Sequence, residues 1–299
     1  MPRSVLRIGT RTSPLALAQA ELVRQQVSQV ITHRSFELVP MSTAGDRGDD
    51  PAANKEAWVA ELQEALTSNK VDLVVHSVKD LPVDSPRGIV LGGVPKREDP
   101  RDCILTRTGK GLGGLATGST VGTSSLRRSA QLRALPKGLR PVPIRGNVDT
   151  RIKKMTDAEV DAVVLAVAGL KRLRRSMASA EILPITTMLP APGQGALAVE
   201  CRATDRNMRA ALGKIEDEAS RRAVDAERSL VAALGGDCHL PIAALAEIRD
   251  DTVRLRGLVA SEDGTTVLTD QVEHTDAEKA GIELAERLRA RGADALLRS

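Results

Sequence analysis

Apolar and polar positions change their period several times along the chain, and each change marks an element. Residues 5–9 read as a buried strand, and Thr10-Arg11-Thr12-Ser13-Pro14 then turns into a run of helical period over 15–30. Ser13 is a good N-cap and Pro14 a good first helical residue. A second strand is expected over 36–41 and a helix over 56–66, after a polar, Gly-containing loop that reads as mobile. A β-branched strand over 71–75 then delivers His76-Ser77-Val78-Lys79-Asp80-Leu81-Pro82. Apolar runs over 88–94 and 103–106 flank Pro95-Lys96-Arg97-Glu98-Asp99-Pro100-Arg101-Asp102, a polar segment that reads as a crossing into a second domain. There the alternation restarts. Strands over 119–123, 141–144 and 161–166 each run into a helix, and Pro190-Ala191-Pro192-Gly193-Gln194-Gly195 with a strand over 197–200 carries the chain back. A long amphipathic helix over 217–234, strands near 242–248, 253–260 and 265–273, and a last helix capped by Thr275 complete the pattern.

This pattern predicts two α/β domains joined by a double-crossing hinge, with a small α+β third domain. The expected boundaries are 1–95 with 196–213, then 96–195, then 214–299. With 299 residues and 41% of them apolar, each domain has enough chain to bury a core. No apolar run reaches the roughly 18 residues of a membrane span. The chain enters its first strand within five residues of Met1, which leaves no room for a signal peptide, so a cytoplasmic protein is expected.

Cys103, Cys201 and Cys238 are odd in number, widely separated and without CxxC spacing, and the four histidines are scattered. Neither a disulfide framework nor a metal site is expected. Lys plus Arg number 43 against 39 Asp plus Glu, a mild excess. With Trp58 and Phe36 as the sole aromatic residues there is no stacking platform for nucleic acid, and small anions become the expected partner.

The placement of the cations narrows the choice. Arg11, Arg127 with Arg128, Arg145 with Arg151, and Lys171 with Arg172 all fall where a strand is expected to run into a helix start. Unpaired N–H groups and the macrodipole favour an anion there, and forked guanidinium groups suit carboxylates. A structural cap or a solvated basic face accounts for any one of these sites, but poorly for their shared position. Lys79 and Asp80 fall just past the carboxyl end of an expected parallel strand, where ligands bind in open α/β sheets. They are either an exposed loop ion pair or a carboxylate placed to stabilise a cation and move protons. In Leu234-Gly235-Gly236-Asp237-Cys238-His239-Leu240-Pro241 the glycines and Pro241 present a thiol on a tight turn. Cys238 is therefore either an ordinary cysteine or one held out for alkylation. Cys103 and Cys201 read as core and His76 as a structural histidine.

Taken together, Arg7-Ile8-Gly9-Thr10-Arg11, Ser13-Pro14-Leu15-Ala16, His76 to Pro82, Glu98-Asp99-Pro100-Arg101-Asp102, Gly122-Thr123-Ser124-Ser125-Leu126-Arg127-Arg128, Arg145-Gly146-Asn147, Gly193-Gln194-Gly195-Ala196 and Cys238 closely resemble the hydroxymethylbilane synthase, or porphobilinogen deaminase, family. The resemblance spans nearly the whole chain. It implies two periplasmic-binding-protein-like domains with a cleft between them, a third domain, and a monomer acting away from membranes and nucleic acid. It also implies a dipyrromethane cofactor in thioether linkage to Cys238, onto which four porphobilinogen molecules condense with loss of ammonia before water frees the linear tetrapyrrole. In that scheme Asp80 is catalytic, holding pyrrole N–H groups and stabilising azafulvenium cations. Arg11, Ser13, Lys79, Thr123, Ser124, Ser125, Arg127, Arg128, Arg145, Gly146, Asn147, Arg151, Arg172 and Gln194 form the cofactor and substrate set, most of them holding acetate and propionate groups.

The chain departs from the family pattern in two places. Ala53-Asn54-Lys55-Glu56-Ala57-Trp58 replaces a Gly-Gly-Lys-Gly-Leu-Phe-like lid, which leaves Lys55 and Trp58 as its lid positions. Asp237 stands where Gly is usual, and Ala243 replaces a Gly after Pro241. A carboxylate beside Cys238 disfavours its thiolate unless a cation compensates. The rival reading from another class is a non-catalytic, two-lobed carboxylate-binding protein, which gives Cys238 no role.

Overall fold

The computed structural model describes residues 5–44, 59–235 and 240–297. The chain folds as two compact units, Met1–Glu98 with Ala196–Arg221, and Asp99–Gly195 with Arg222–Ser299. It thus passes from unit 1 to unit 2, back, and out again.

In unit 1, β1 (Val5–Arg11), β2 (Ser35–Met41), β3 (Leu73–Ser77), β4 (Ile89–Gly93) and β10 (Leu197–Arg202) form a five-stranded sheet of order β2-β1-β3-β10-β4. β1 runs parallel to β2 and β3, and β10 lies antiparallel between β3 and β4. The two-residue period of the strands decides what covers each face. Leu73 and Val75 point with Leu6 and Ile8 toward α1 (Pro14–Val30), which buries Ala20, Val23 and Val27, and toward Met208 and Leu212. Val74 points the other way, toward Leu62, Ala65 and Leu66 of α2 (Ala60–Thr67). That helix answers to the one expected over 56–66; residues 45–58, and with them the lid positions Lys55 and Trp58, lie outside the described residues.

Unit 2 repeats this order. β5 (Asp102–Thr106), β6 (Thr120–Gly122), β7 (Arg140–Val142), β8 (Ala162–Ala166) and β9 (Ala180–Ile182) assemble as β7-β6-β8-β5-β9. β6 is parallel to β7 and β8, while β5 is antiparallel to β8 and β9. Alternation again sorts the core. Cys103, Leu105, Val163 and Leu165 meet α4 (Val148–Thr156) and α5 (Val167–Arg172), whereas Ile104, Val121 and Val164 meet Leu132 of α3 (Leu126–Ala134).

Unit 2 also holds the three-stranded antiparallel sheet of β11 (Ile242–Arg249), β12 (Thr252–Ala260) and β13 (Val267–His274). Ala243, Leu245, Leu258 and Ala260 pack one face of it on Ala130 of α3 and on Leu189. The other face carries α7 (Glu218–Ala233) and α8 (Ala277–Ala290). A Cβ on Gly257 would stand 2.9 Å from Leu284 and 3.0 Å from Leu230, so a side chain at this point of β12 would drive both helices off. The described chain ends in α9 (Ala293–Leu297).

Two expectations need correcting. Lys171 and Arg172 lie in the last turn of α5 rather than at a helix start, because α5 begins directly after β8 and is six residues long. The cap of α8 is Asp276, whose carboxylate accepts from Lys279 N at 3.0 Å, not Thr275. The strand β9 and the helices α6 and α9 were not foreseen. β9 has three residues, too few to show a period, and α6 (Arg206–Gly213) shows only Met208, Ala211 and Leu212 as its apolar stripe, under an Asp205 cap.

Cys103 and Cys201 are free thiols with no exposure, as expected of core residues. Burial pushes the Cys103 thiol up to about 12 and the Cys201 thiol up to about 11, so neither is a nucleophile at neutral pH. No helix among the described residues is long and apolar enough to cross a membrane.

Candidate active site

In unit 1 the parallel register pairs Gly9 with Val74, which brings Arg11 and Ser77 out at the same carboxyl end of adjacent strands. Ser13 caps α1, its Oγ accepting from Ala16 N at 3.2 Å, and Pro14 follows at the first helical position. The hydroxyl of Ser13 is thereby engaged by its own helix. β3 does not run straight into a helix; a single 3-10 turn, Val78–Asp80, follows it. Val78 is buried and donates its N–H to Ala196 O at 3.1 Å, which leaves Lys79 and Asp80 half-buried on the outer side of that turn. Ser77 Oγ accepts from Gln19 Nε2 at 2.9 Å and ties α1 to the turn. Among the described residues the Asp80 carboxylate has no hydrogen-bond or ion-pair partner. His76, expected to be structural, is buried with its Nε2 3.3 Å from Glu200 Oε2, and Gln63 Nε2 donates to the same carboxylate at 3.1 Å.

In unit 2 the carboxyl ends of β6, β7 and β8 carry the rest of the set. Thr123 N donates to Val142 O at 2.9 Å, while Ser124 Oγ donates to Ile144 O at 2.8 Å and accepts from Ile144 N at 3.0 Å. Together they bind the β6 turn to the β7 turn. Ser125 caps α3, accepting from Arg128 N at 3.4 Å. Gly146 sits at φ +111°, and a Cβ there would press within 2.7 Å of Thr150 Cβ, so the turn into α4 requires glycine. Asn147 caps α4, accepting from Thr150 N at 2.9 Å, and Arg151 Nε donates to Gly146 O at 2.8 Å. Arg145 is exposed and Arg151 half-buried. Burial, and then the charge of Arg128, lower Arg151 from its ordinary value. Arg172 Nη2 donates to Gly195 O at 2.7 Å, and Gln194, fully buried, donates to Pro100 O at 2.7 Å.

Sequence reasoning missed the residue that joins Arg127, Arg128 and Gln194 within unit 2. Asp102 opens β5 with 0% exposure and meets Arg127 and Arg128 in the first turn of α3, which are themselves only 4% and 6% exposed. Arg128 donates to its Oδ1 through Nε at 3.2 Å and Nη2 at 2.7 Å, and Gln194 Nε2 does so at 3.0 Å. Oδ2 lies 2.8 Å from Arg127 Nη1 as an ion pair without a directed hydrogen bond. The one available signal was its place in Glu98-Asp99-Pro100-Arg101-Asp102, immediately before a strand. Nothing in the sequence ties it to arginines 25 and 26 positions further on.

Burial by itself would raise the Asp102 carboxyl, but the charges of Arg127 and Arg128 outweigh burial and hold it well below the usual carboxylate range. A depressed folded value contributes stability that is complete above the unfolded value of about 3.9 and lost as pH falls through the folded one. Thermal unfolding between pH 7 and 3 should therefore show no loss from this network above about pH 5. Below that an Asp102→Asn variant should fall off less steeply than the parent; equal acid limbs would show that Asp102 does not carry the dependence.

A cavity of about 730 Å³ in unit 1, lined by Arg206, Arg209, Glu216 and Arg221 around Ile89 to Gly92, lies elsewhere. β10 pairs Leu197 with Ser77 but Arg202 with Ile89, so this cavity opens toward the end of the sheet opposite Asp80. Among the described residues no three His, Cys, Asp or Glu side chains are grouped to hold a metal. Cys238, with Asp237 and His239, lies outside the described residues.

Residues 6–210 match the family described as porphobilinogen deaminase, dipyromethane cofactor binding domain, and residues 221–290 match the porphobilinogen deaminase C-terminal domain. The chain is 44% identical to porphobilinogen deaminase of Syntrophotalea carbinolica, over 99% of this chain and 96% of that one. It is 45% identical to porphobilinogen deaminase 1 of Streptomyces coelicolor, over 99% and 98%. Of solved structures, the methionine binding protein MetQ is similar with a TM-score of 0.47 and 13% identity, covering 73% of this chain and 92% of that one, too distant to add to the fold read from strand order. Identity of this extent along nearly the whole chain, on top of two matching domains, means that the chain belongs to the porphobilinogen deaminase family of transferases.

Proposed function

We propose that this chain joins four porphobilinogen molecules head to tail and releases hydroxymethylbilane, with Asp80 as its catalytic residue. The observation that carries the reading is the Asp80 carboxylate, unpartnered among the described residues at the carboxyl end of β3, in a chain whose residues 6–210 match a dipyrromethane-binding domain. The donor set fits such a ligand: each pyrrole ring brings two carboxylates, and the chain offers Arg11 at the end of β1, Lys79 in the turn after β3, Arg145 and Arg151 around the start of α4, and Arg172 in the last turn of α5.

Bound through the Cys238 thioether, the dipyrromethane would supply the nucleophilic ring carbon to which the first substrate is joined. The residues of the chain do the rest. As the methylene–nitrogen bond of porphobilinogen breaks and ammonia leaves, positive charge develops on the substrate ring, and the Asp80 carboxylate stabilises it. Asp80 is also the group placed to take up the proton that carbon–carbon bond formation would release and pass it on. Ser13, Ser125 and Asn147, as caps, set the starts of α1, α3 and α4, and Thr123, Ser124 and Gly146 shape the turns before them. Arg127, Arg128 and Gln194 belong to the same set through Asp102. Lys55 and Trp58 are proposed as lid positions and Cys238 as the attachment residue. The division into 1–95 with 196–213, 96–195 and 214–299, a monomeric state, a cytoplasmic location and the absence of nucleic-acid or membrane partners complete the proposal.

Intact mass under denaturing conditions tests it. The parent should be heavier than its sequence by one dipyrromethane, and a Cys238→Ala variant should show no gain. A parent that stays unmodified after incubation with porphobilinogen would leave the carboxylate-binding alternative in its place.

A further inference from the structure

The resemblance makes Arg127 and Arg128 ligands of acetate and propionate groups, yet inside unit 2 both are already committed. Arg128 uses Nε and Nη2 on Asp102 and Nη1 on Val164 O at 3.0 Å. Arg127 Nη1 donates to Leu189 O at 2.6 Å and stands against the other oxygen of the same carboxylate. Gln194 approaches that carboxylate from the return segment. Three stretches far apart in sequence thus converge on one side chain: the start of β5, the first turn of α3, and residues 190–195.

The charges do not cancel. One carboxylate faces two guanidinium groups, and Arg151 is near enough to Arg128 to feel its charge. A buried ion cluster is a poor way to gain stability, since apolar side chains of similar volume often do as well, and its best-attested use is to fix one arrangement. A lone arginine loses much rotamer freedom when it meets a carboxylate ligand; one already clamped on two edges does not. By donor inventory Arg128 retains one N–H on each terminal nitrogen beyond the bonds described.

We propose that Asp102 is the positioning residue of the carboxylate-binding set of unit 2, fixing where Arg127, Arg128 and Gln194 stand and so how the carboxylates of a pyrrole ligand are received. This rests on the porphobilinogen deaminase reading. Arg127 then acts chiefly by completing the hold on Asp102 and not as an independent ligand.

The test is a double-mutant cycle on the full chain with Asp102→Asn, Arg127→Gln and the double variant, plus Asp102→Glu, which keeps the charge but displaces it. Fraction of chain carrying the dipyrromethane mass, KM and kcat for porphobilinogen, and thermal midpoint are read for each. Asp102→Asn is expected to cut kcat/KM by about 100-fold, as for a reactant displaced by an ångström. The double variant should be no worse than Asp102→Asn alone, because the two residues act as one unit. Should Asp102→Asn fail to fold, Asp102→Glu decides: a folded chain with a KM about tenfold higher than the parent's is expected. Losses that multiply in the double variant, or an Asp102→Glu protein that loads cofactor and binds substrate as the parent does, would overturn the proposal. A parent without cofactor would instead overturn the function on which it rests.

Discussion

An Asp80→Asn variant is expected to lose kcat by about a thousandfold while KM stays within a few-fold of the parent. The magnitude joins two contributions. Removing a preorganised counter-charge from a developing ion costs about 10²–10³ in rate, and removing a positioned proton acceptor costs about 10²–10⁴. The two overlap because one carboxylate serves both, so the expected loss is not their product. Stability should move by less than about 0.5 kcal/mol, because the carboxylate has no partner among the described residues to lose and Asn keeps its shape. Ammonia release under saturating porphobilinogen, with a thermal midpoint on the same sample, separates the outcomes. A KM that rises while kcat holds would make Asp80 a binding group, not a catalytic one.

The second large effect concerns stability. Glu227 on α7 has no exposure, and it accepts the backbone N–H of Gly193 at 2.6 Å on Oε2 and that of Ala246 at 2.8 Å on Oε1. One carboxylate thus joins α7 to the return segment and to the middle of β11. Glu227→Ala leaves two buried donors without an acceptor, at about 1–3 kcal/mol each, and opens a cavity beside them. A total loss of about 3–5 kcal/mol is expected, of the size seen when a buried charged partner is removed. Urea unfolding followed by circular dichroism should show the midpoint fall with an unchanged slope. A loss below about 1 kcal/mol would mean that water or a neighbouring side chain takes over both donors.

Much of the architecture was legible because it is local. The alternation of Leu73, Val74 and Val75 announces a strand covered on both faces, and the spacing of Ala16, Ala20, Val23 and Val27 announces α1, with Ser13 and Pro14 marking where it starts. The family itself was legible in ordered motifs, and its match along nearly the whole chain agrees. What escaped was either too short or too distant. β9 offers three residues, and the stripe of α6 is broken by two arginines and an asparagine. Thr275 looked as good a cap as Asp276, since both residue types serve. The shift of Lys171 and Arg172 to the end of α5 reflects a strand that passes into a helix without a loop, which residue types do not announce. The partners of Arg127 and Arg128 were hidden for a different reason. Apolar period tells which face is buried, but not which carboxylate waits inside.

The repeated strand order has a consequence for synthesis on the ribosome. In unit 2 the sheet β7-β6-β8-β5-β9 is drawn from one uninterrupted stretch, Asp102 to Ile182. In unit 1 the equivalent place beside β3 is filled by β10, and among the described residues β4 has no other strand to bond with. The sheet of unit 1 therefore begins to emerge before the five-stranded sheet of unit 2 and is completed after it: β4 must wait, edge exposed, until Leu197–Arg202 has left the exit tunnel. An unpaired edge held open that long is an invitation to chaperones or to another nascent chain. Between these two sheets, the order in which strands begin to emerge is the reverse of the order in which the sheets can be completed.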